Sequence, residues 1–499
     1  MRKVGVIDIG SNSIRLVLIE VEHKNYFRII DDVKETVRLG MDMLPNGELN
    51  AVRMNRAINT LAEFKLLCDA QGISELLIVA TEAVRRASNQ NVFLQLVQAK
   101  LGIAIRVLTG PEEAYYDYFG VINSMDLRDG LIMDVGGAST ELIWVQHRKA
   151  KAVISLPFGA INLTRQFNLT QKMNSDTEKE LNKYLMSQFA KVTWLKQVKN
   201  IPLIGVGGTV RNIGKISRKS SNYPIDRSHN YQIDAHEVLA IYNMVKDKTL
   251  EQRKKVKGLS KERSDMFLGA SSVAANLINY CNAPHLIVSG SGLREGLIYE
   301  TLHGHKAIHD VLDYSLKSVV KTLNIDQIHG QHVWLLAESL YRQLKPLHKI
   351  IYHSDKILKT SAILNDCGKI INFYNYHKHT FYMITNLPIN GLTHKELIIS
   401  ALTMLVSVKD NFELDNSPYG KLLTEEDKST VQRLGIILRL AECLDRRRNR
   451  NIINVDCQVK SDSVLIRLIS HAPSDGEQKD VSECSVAFAK IFGKPLLFE

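Results

Sequence analysis

The chain has 499 residues, too many for one hydrophobic core and enough for roughly two to four domains. Hydrophobic residues make up 45% and charged residues 23%, near the averages of folded proteins, which excludes disorder as the main state. With 64 Lys and Arg against 53 Asp and Glu, the net charge of +11 favours polyanionic partners, whether phosphate chains, nucleic acid or anionic membrane.

No stretch approaches the roughly 18 consecutive apolar residues of a membrane span. Met1-Arg2-Lys3 leads into Val4-Gly5-Val6-Ile7-Asp8 and not into an apolar signal core, so a cytoplasmic location is expected. The cysteines, Cys68, Cys281, Cys367, Cys443, Cys457 and Cys484, include no CxxC pair and no zinc-like spacing, and read as reduced and mostly buried.

Val4 to Ile9 and Ile14 to Val21 are apolar and β-rich, Ala51 to Ala70 carries helical periodicity, and Leu76 to Ala80 and Ile103 to Leu108 read as further strands. Thr109-Gly110-Pro111 can start a helix with Glu112 and Glu113 in its first turn. This alternation predicts an α/β domain over 1–124. The pattern then restarts. Gly130 to Val135 is a strand entering Gly136-Gly137-Ala138-Ser139-Thr140, followed by a strand from Glu141 to Val145, just as Val4 to Ile9 enters Gly10-Ser11-Asn12-Ser13 and continues into Ile14 to Val21. Strand, aspartate, small-residue turn, strand recurs with Asp8 and Asp134 about 126 positions apart, which indicates a duplicated unit and a second half over 125–305. Two homologous halves facing each other make a cleft. Gly205-Val206-Gly207-Gly208-Thr209 and Ser289-Gly290-Ser291-Gly292 follow further strands, Ile201 to Ile204 and His285 to Val288, and are placed to line it. His309 to Leu323, His332 to Leu344, Lys356 to Leu364, His394 to Val408 and Glu425 to Leu444 predict a helical domain over 306–450. Val464 to Ile469 marks a small α/β cap over 451–499.

In Asp8-Ile9-Gly10-Ser11-Asn12-Ser13 a carboxylate at a strand end precedes consecutive backbone N–H groups in a turn, an arrangement that suits a phosphate as well as an ordinary hairpin. Asp134-Val135-Gly136-Gly137-Ala138-Ser139-Thr140-Glu141 repeats it with a second acid. Asp8, Asp134 and Glu141 are hard oxygen ligands suited to Mg²⁺, which binds through one or two carboxylates and substrate phosphates.

These two blocks, with Ala80-Thr81 and Arg85, Gly110-Pro111-Glu112-Glu113-Ala114, Gly205-Val206-Gly207-Gly208-Thr209 and Ser289-Gly290-Ser291-Gly292-Leu293-Arg294-Glu295-Gly296, resemble in order the signature blocks of the exopolyphosphatase and guanosine pentaphosphate phosphatase family. The resemblance implies duplicated ribonuclease-H-like domains of the actin, sugar-kinase and Hsp70 type. Glu113 matches the family's catalytic glutamate, which activates water. Arg85 matches its phosphate-binding arginine, whereas Arg86 reads as a surface residue and Glu112 as an acid serving the helix dipole. Ser11, Asn12, Ser13, Gly136, Gly137, Ser139, Thr140, Gly207, Gly208 and Thr209 are the expected phosphate donors and loops, with Arg38 as a further guanidinium.

The helical domain resembles the HD phosphohydrolase superfamily more faintly. His332, Asn365-Asp366, His379 and Asp445 fall at its ligand positions, but Asn365 replaces the doublet histidine and an amide is a poor transition-metal ligand, so a degenerate HD-like domain without its own activity is expected. Lys254-Lys255-Val256-Lys257 and Arg446-Arg447-Arg448-Asn449-Arg450 are candidate guides for an extended polyanion. No aromatic residues interleave with them, which disfavours nucleic acid.

The expected activity is a Mg²⁺-dependent exopolyphosphatase acting on inorganic polyphosphate, with guanosine pentaphosphate as the alternative substrate and a homodimer implied by the resemblance. The same fold also serves kinases, and a non-catalytic polyphosphate-binding protein is the remaining class.

Overall fold

The computed structural model describes residues 2–22, 25–41, 43, 46–351, 354–408 and 418–498. The chain divides into two compact units, Met1–His309 and Asp310–Glu499.

The first unit is built on two sheets. One has the order β3-β2-β1-β4-β5, where β1 is Arg2–Ile9, β2 Ile14–Glu22, β3 Tyr26–Glu35, β4 Glu75–Ala80 and β5 Arg106–Val107. β1 to β3 form an antiparallel meander, and β4 and β5 continue in parallel from β1. The other sheet contains β6 (Gly130–Val135), β7 (Thr140–Gln146), β8 (Lys149–Leu156), β9 (Leu203–Val206), β10 (Tyr231–Asp234) and β11 (His285–Val288), in the order β10-β11-β9-β6-β7-β8. Read from the other edge and without β10, β8-β7-β6-β9-β11 repeats the first sheet strand for strand, with the same parallel and antiparallel pairings. The duplication inferred from the two aspartate turns is therefore a duplication of topology, the ribonuclease-H-like arrangement of the actin, sugar-kinase and Hsp70 type.

The first sheet is covered on both faces, which explains its near-continuous apolar strands. Ile7, Ile9, Ile14, Leu16 and Leu18 join a core with Met54, Ile58, Leu61 and Phe64 of α1 (Ala51–Ala70), while Val4, Val6, Val17 and Ile19 pack on the opposite face with Tyr116, Leu297 and Ile298. Tyr116 lies on α2 (Gly110–Ile122); α3 is Gly207–Ser220, α4 Phe267–Cys281 and α5 Leu293–His303. The two helices α2 and α5 meet at backbone distance: a Cβ on Gly120 would stand 2.2 Å from the Gly292 carbonyl oxygen, and one on Gly296 would stand 2.1 Å from that of Tyr116. This approach sets the start of α5 against the middle of α2.

The second unit begins with α6 (Val311–Thr322), α7 (Gln327–Gln343), α8 (Ser354–Ile363), α9 (Tyr376–Asn386), α10 (His394–Val408) and α11 (Glu425–Leu444). It ends in a three-stranded sheet of order β12-β13-β14, namely Ile452–Val459, Val464–Ser470 and Leu496–Phe498. Helix α9 escaped the sequence reading, where His377-Lys378-His379 masked an apolar face carried by Thr380, Met383 and Ile384. None of the described helices is long and apolar enough to cross a membrane. All six cysteines are free, four of them buried.

Candidate active site

Both aspartate turns close in the same way. The Gly10 N–H donates to the Ser13 carbonyl at 3.1 Å between β1 and β2, and the Gly136 N–H donates to that of Ser139 at 3.0 Å between β6 and β7. The two turns meet, since a Cβ on Gly137 would stand 2.8 Å from Ser11 Cβ. Around them lies a cavity of about 160 Å³, lined by Asp8, Ser11, Asn12, Ser13, Gly136, Gly137 and Ser139, and by Glu113, Asp117 and Asp134. Gly207, Gly208, Thr209, Gly290, Ser291 and Gly292 complete the glycine-rich wall, and Arg15, Arg211, Arg263 and Arg294 enter from four separate elements.

Gly207 has no substitute at its position. Its φ is +87°, and a Cβ there would stand 2.5 Å from Asp134 Oδ1. Gly207-Gly208-Thr209 is the first turn of α3, not the free loop that its glycines suggested, so its N–H groups form a helix N-terminus facing the cavity.

Helix α2 turns its two glutamates in different directions. Glu112 closes a capping box: its Oε2 accepts from the Thr109 N–H and hydroxyl, both at 2.8 Å, and its Oε1 accepts from Arg106 at 2.6 Å. The backbone N–H of Thr109, then Arg106, hold its carboxyl at about 2. Glu113 turns into the cavity, where burial pushes its carboxyl up to about 7 against the pull of Arg85. Burial likewise raises Asp134 to about 6, opposed by Arg211, and raises Asp8, opposed by Arg294 and Arg15. The arginines show the converse. Burial and then Arg294 lower Arg15 to about 10 and also lower Arg211, while burial and then Arg15 lower Arg263. Guanidiniums that repel one another in a partly enclosed cavity form a receptor for anions, and the adjoining acids form one for cations.

Comparisons with known proteins give the family. A model of the Ppx/GppA phosphatase family matches residues 6–305, and one of Ppx/GppA phosphatase domain III matches residues 311–477. The chain belongs to the Ppx/GppA phosphatase family. With membership comes the reaction class, hydrolysis of phosphoanhydride bonds. A relative from Aeromonas salmonicida (strain A449), named guanosine-5'-triphosphate,3'-diphosphate pyrophosphatase, is 26% identical over 478 residues, covering 93% of this chain and 91% of its own. The solved structure of an Aquifex aeolicus Ppx/GppA family member is 28% identical with a TM-score of 0.53, covering 61% of this chain and 99% of that one. An exopolyphosphatase structure from Cytophaga hutchinsonii ATCC 33406 shares the fold at 23% identity and a TM-score of 0.58, with the same coverage.

Four of the expected site residues sit differently from the sequence reading. Arg85 does not line the cavity: it stands behind Glu113, donating to Glu113 Oε2 at 2.9 Å, to the Leu108 carbonyl at 2.7 Å and to Glu82. Arg38 is turned away to Asp265 at 3.1 Å and the Glu262 carbonyl at 3.3 Å. The Thr140 hydroxyl donates to the Phe158 carbonyl at 2.7 Å, so its one proton is already engaged. Glu141 is buried behind the lining and accepts from the Ser155 hydroxyl at 2.7 Å. Sequence reasoning missed Arg15, Arg211 and Arg263 as site residues, quoted Arg294 without a role, and overlooked Asp117. The one available local signal was Arg15, paired across the turn with Asp8 in the β1–β2 register.

In the Ppx/GppA domain III region, His329 Nδ1 lies 2.8 Å and His332 Nδ1 3.2 Å from the Asp445 carboxylate, and His329 Nε2 lies 3.8 Å from Asp366. Asp366 is itself held by Lys369 at 2.6 Å and by Arg448. The ion pairs of this cluster do not include His379, and Asn365 is buried with neither amide atom bonded. Among the described residues no three His, Cys, Asp or Glu side chains converge to cage an ion, here or in the cleft. The Arg446–Arg450 run is also engaged: Arg446 and Arg447 pair with Asp480 at 3.3 and 2.8 Å, and Arg448 with Asp326 at 2.9 Å. Those three guanidiniums are less available to a passing polyanion than the sequence suggested.

Proposed function

We propose that the protein is an exopolyphosphatase, releasing orthophosphate from the end of inorganic polyphosphate. The observation that carries the reading is the convergence of Arg15, Arg211, Arg263 and Arg294 on the cavity that holds Glu113. Four guanidiniums, Arg294 buried and the others partly so, suit several consecutive phosphates. Among the described residues no aromatic side chain lines the cavity to stack a base, and its volume of about 160 Å³ is below the roughly 300–1,000 Å³ of pockets that enclose whole drug-sized ligands. Terminal phosphates fit such a space.

In this reading Glu113 accepts a proton from water as the water oxygen bonds to the terminal phosphorus. The terminal P–O–P bond breaks, and its electron pair leaves with the shortened chain. A carboxyl near 7 suits a base working at neutral pH. Arg85 is a positioning residue: its bond to Glu113 Oε2 leaves Oε1 for the water. The arginines and the N–H groups of the two aspartate turns and of α3 hold the phosphate oxygens.

Asp134 and Asp8 line the cavity and would hold Mg²⁺, with Glu141 beside Asp134 in the β6–β7 register. A bound divalent cation supplies charge neutralisation on the phosphate oxygens. The chain's acids fit such an ion because burial, only partly offset by neighbouring arginines, holds Asp8 and Asp134 above the usual carboxylate range.

The second reading, removal of the terminal phosphate of guanosine pentaphosphate, is favoured by the name of the Aeromonas salmonicida relative, which matches along nearly the whole chain. Phosphate release is measured with Mg²⁺ on long-chain polyphosphate and guanosine pentaphosphate side by side, with Glu113→Gln as control. Faster release from polyphosphate, abolished in the variant, supports the first reading; faster release from the nucleotide replaces it with the second.

A further inference from the structure

Asp117 has no part in the mechanism above. It lies on α2 one helical turn after Glu113, on the same face of the helix, and lines the cavity. The residue is only 1% exposed, and neither carboxylate oxygen has a hydrogen-bond partner among the described residues. Each neighbouring acid is compensated: Glu113 by Arg85 at 2.9 Å, Asp134 by Arg211 and Arg263, Asp8 by Arg294 and Arg15, and Glu141 by the Ser155 hydroxyl. Around Asp117 the strongest charges are all negative, led by Asp134, and burial followed by this repulsion pushes its carboxyl well above the usual range. The start of α5 brings backbone against it: a Cβ on Gly292 would stand 3.1 Å from Asp117 Oδ1, leaving no room for a side-chain donor from that residue. A buried carboxylate without donor or counter-charge is among the costlier features a fold can retain. Such a carboxyl is neutralised either by a proton or by a cation from outside the chain.

We propose that Asp117 is a ligand for a divalent cation bound in the cleft, shared with Asp134. Mg²⁺ takes one or two carboxylates and completes its shell with water and substrate phosphates. With Asp117 in the place given above to Asp8, beside Asp134, the site keeps to two carboxylates, in agreement with the absence, among the described residues, of any preformed three-ligand cage. The inference rests on the metal use proposed above and adds a residue that no motif of the sequence marked.

The test is Mn²⁺ binding by the full chain without substrate, read from the electron paramagnetic resonance signal of free Mn²⁺. Wild type is compared with Asp117→Asn and Asp117→Leu, and either variant suffices if the other does not fold. Asparagine has the shape of a protonated aspartic acid. If Asp117 only stores a proton, Asp117→Asn leaves the Mn²⁺ affinity within fivefold of wild type, and the proposal is overturned. A loss of more than fivefold in a folded variant supports it. Wild-type phosphate release with Mg²⁺ and with EDTA is followed in the same preparations. Release that EDTA does not affect removes the metal reading as a whole, whereas EDTA-sensitive release with unchanged Mn²⁺ affinity in the variants removes only the role of Asp117.

Discussion

Glu113 leaves a signature in stability that needs no substrate. Burial, opposed by Arg85, raises its carboxyl from 4.5 to about 7. A carboxyl with a folded value above its unfolded one binds more protons when folded, so its penalty is absent below about pH 4.5, grows as the pH rises and is complete above about 7. At about 1.4 kcal/mol per pH unit, the span from 4.5 to about 7 amounts to about 3 kcal/mol of folding free energy. Glu113→Gln keeps the shape and an acceptor for Arg85 but cannot ionise. Urea unfolding of the metal-free proteins, followed by fluorescence of Trp144 and Trp194, which stack at 6.3 Å in the first unit, measures the difference. Wild type should lose about 3 kcal/mol relative to the variant between pH 4.5 and 7, with a constant offset for the weakened Arg85 bond. A difference that is flat across that window, or that rises with pH, would refute the buried-base argument.

Gly207→Ala, forced at φ +87° against Asp134, should cost about 2 kcal/mol in urea unfolding and reduce phosphate release at least about tenfold. Arg211→Ala should raise KM for polyphosphate about tenfold or more and flatten its dependence on salt, read from initial rates across a salt series. Glu112→Ala removes the capping box and should cost about 1 kcal/mol in thermal unfolding. Because Glu112 lies outside the cavity lining, kcat should stay within about threefold, against a loss of about a hundredfold or more in Glu113→Gln.

Periodicity and turn chemistry made much of the fold legible. Ala51–Ala70, Gly130–Val135, His285–Val288, His394–Val408 and Glu425–Leu444 coincide with the segments read from sequence, because each carries its own apolar period and end signals. Tyr26–Glu35 and Lys149–Leu156, the edge strands of the two meanders, were not anticipated: both are half-exposed and rich in charge, and their backbone bonds to β2 and β7 decide them. The site divides along the same line. Asp8, Asp134, Glu113 and the glycine turns belong to local motifs. Arg15, Arg211, Arg263 and Arg294 come from a strand, a helix start, a short 3₁₀ segment and another helix start, and only the folding of two half-domains onto one cavity brings them together. Arg85 shows the reverse error, since a motif gives a residue's address and not the partner its guanidinium takes up.

The acid set makes one more commitment, because metal binding and protonation compete for the same oxygens. At pH 7 the metal-free cleft holds Glu113 near its midpoint, and burial with the surrounding acids raises the carboxyls of Asp117 and Glu141 as well, so a divalent cation entering the cleft displaces protons. Mn²⁺ binding should therefore release protons at pH 7 and fewer as the pH rises. Calorimetry in buffers of different ionisation enthalpy counts those protons directly. If no proton is released in wild type, the acids are already ionised without metal, and the repulsion that makes them a cation receptor is being relieved inside the chain instead.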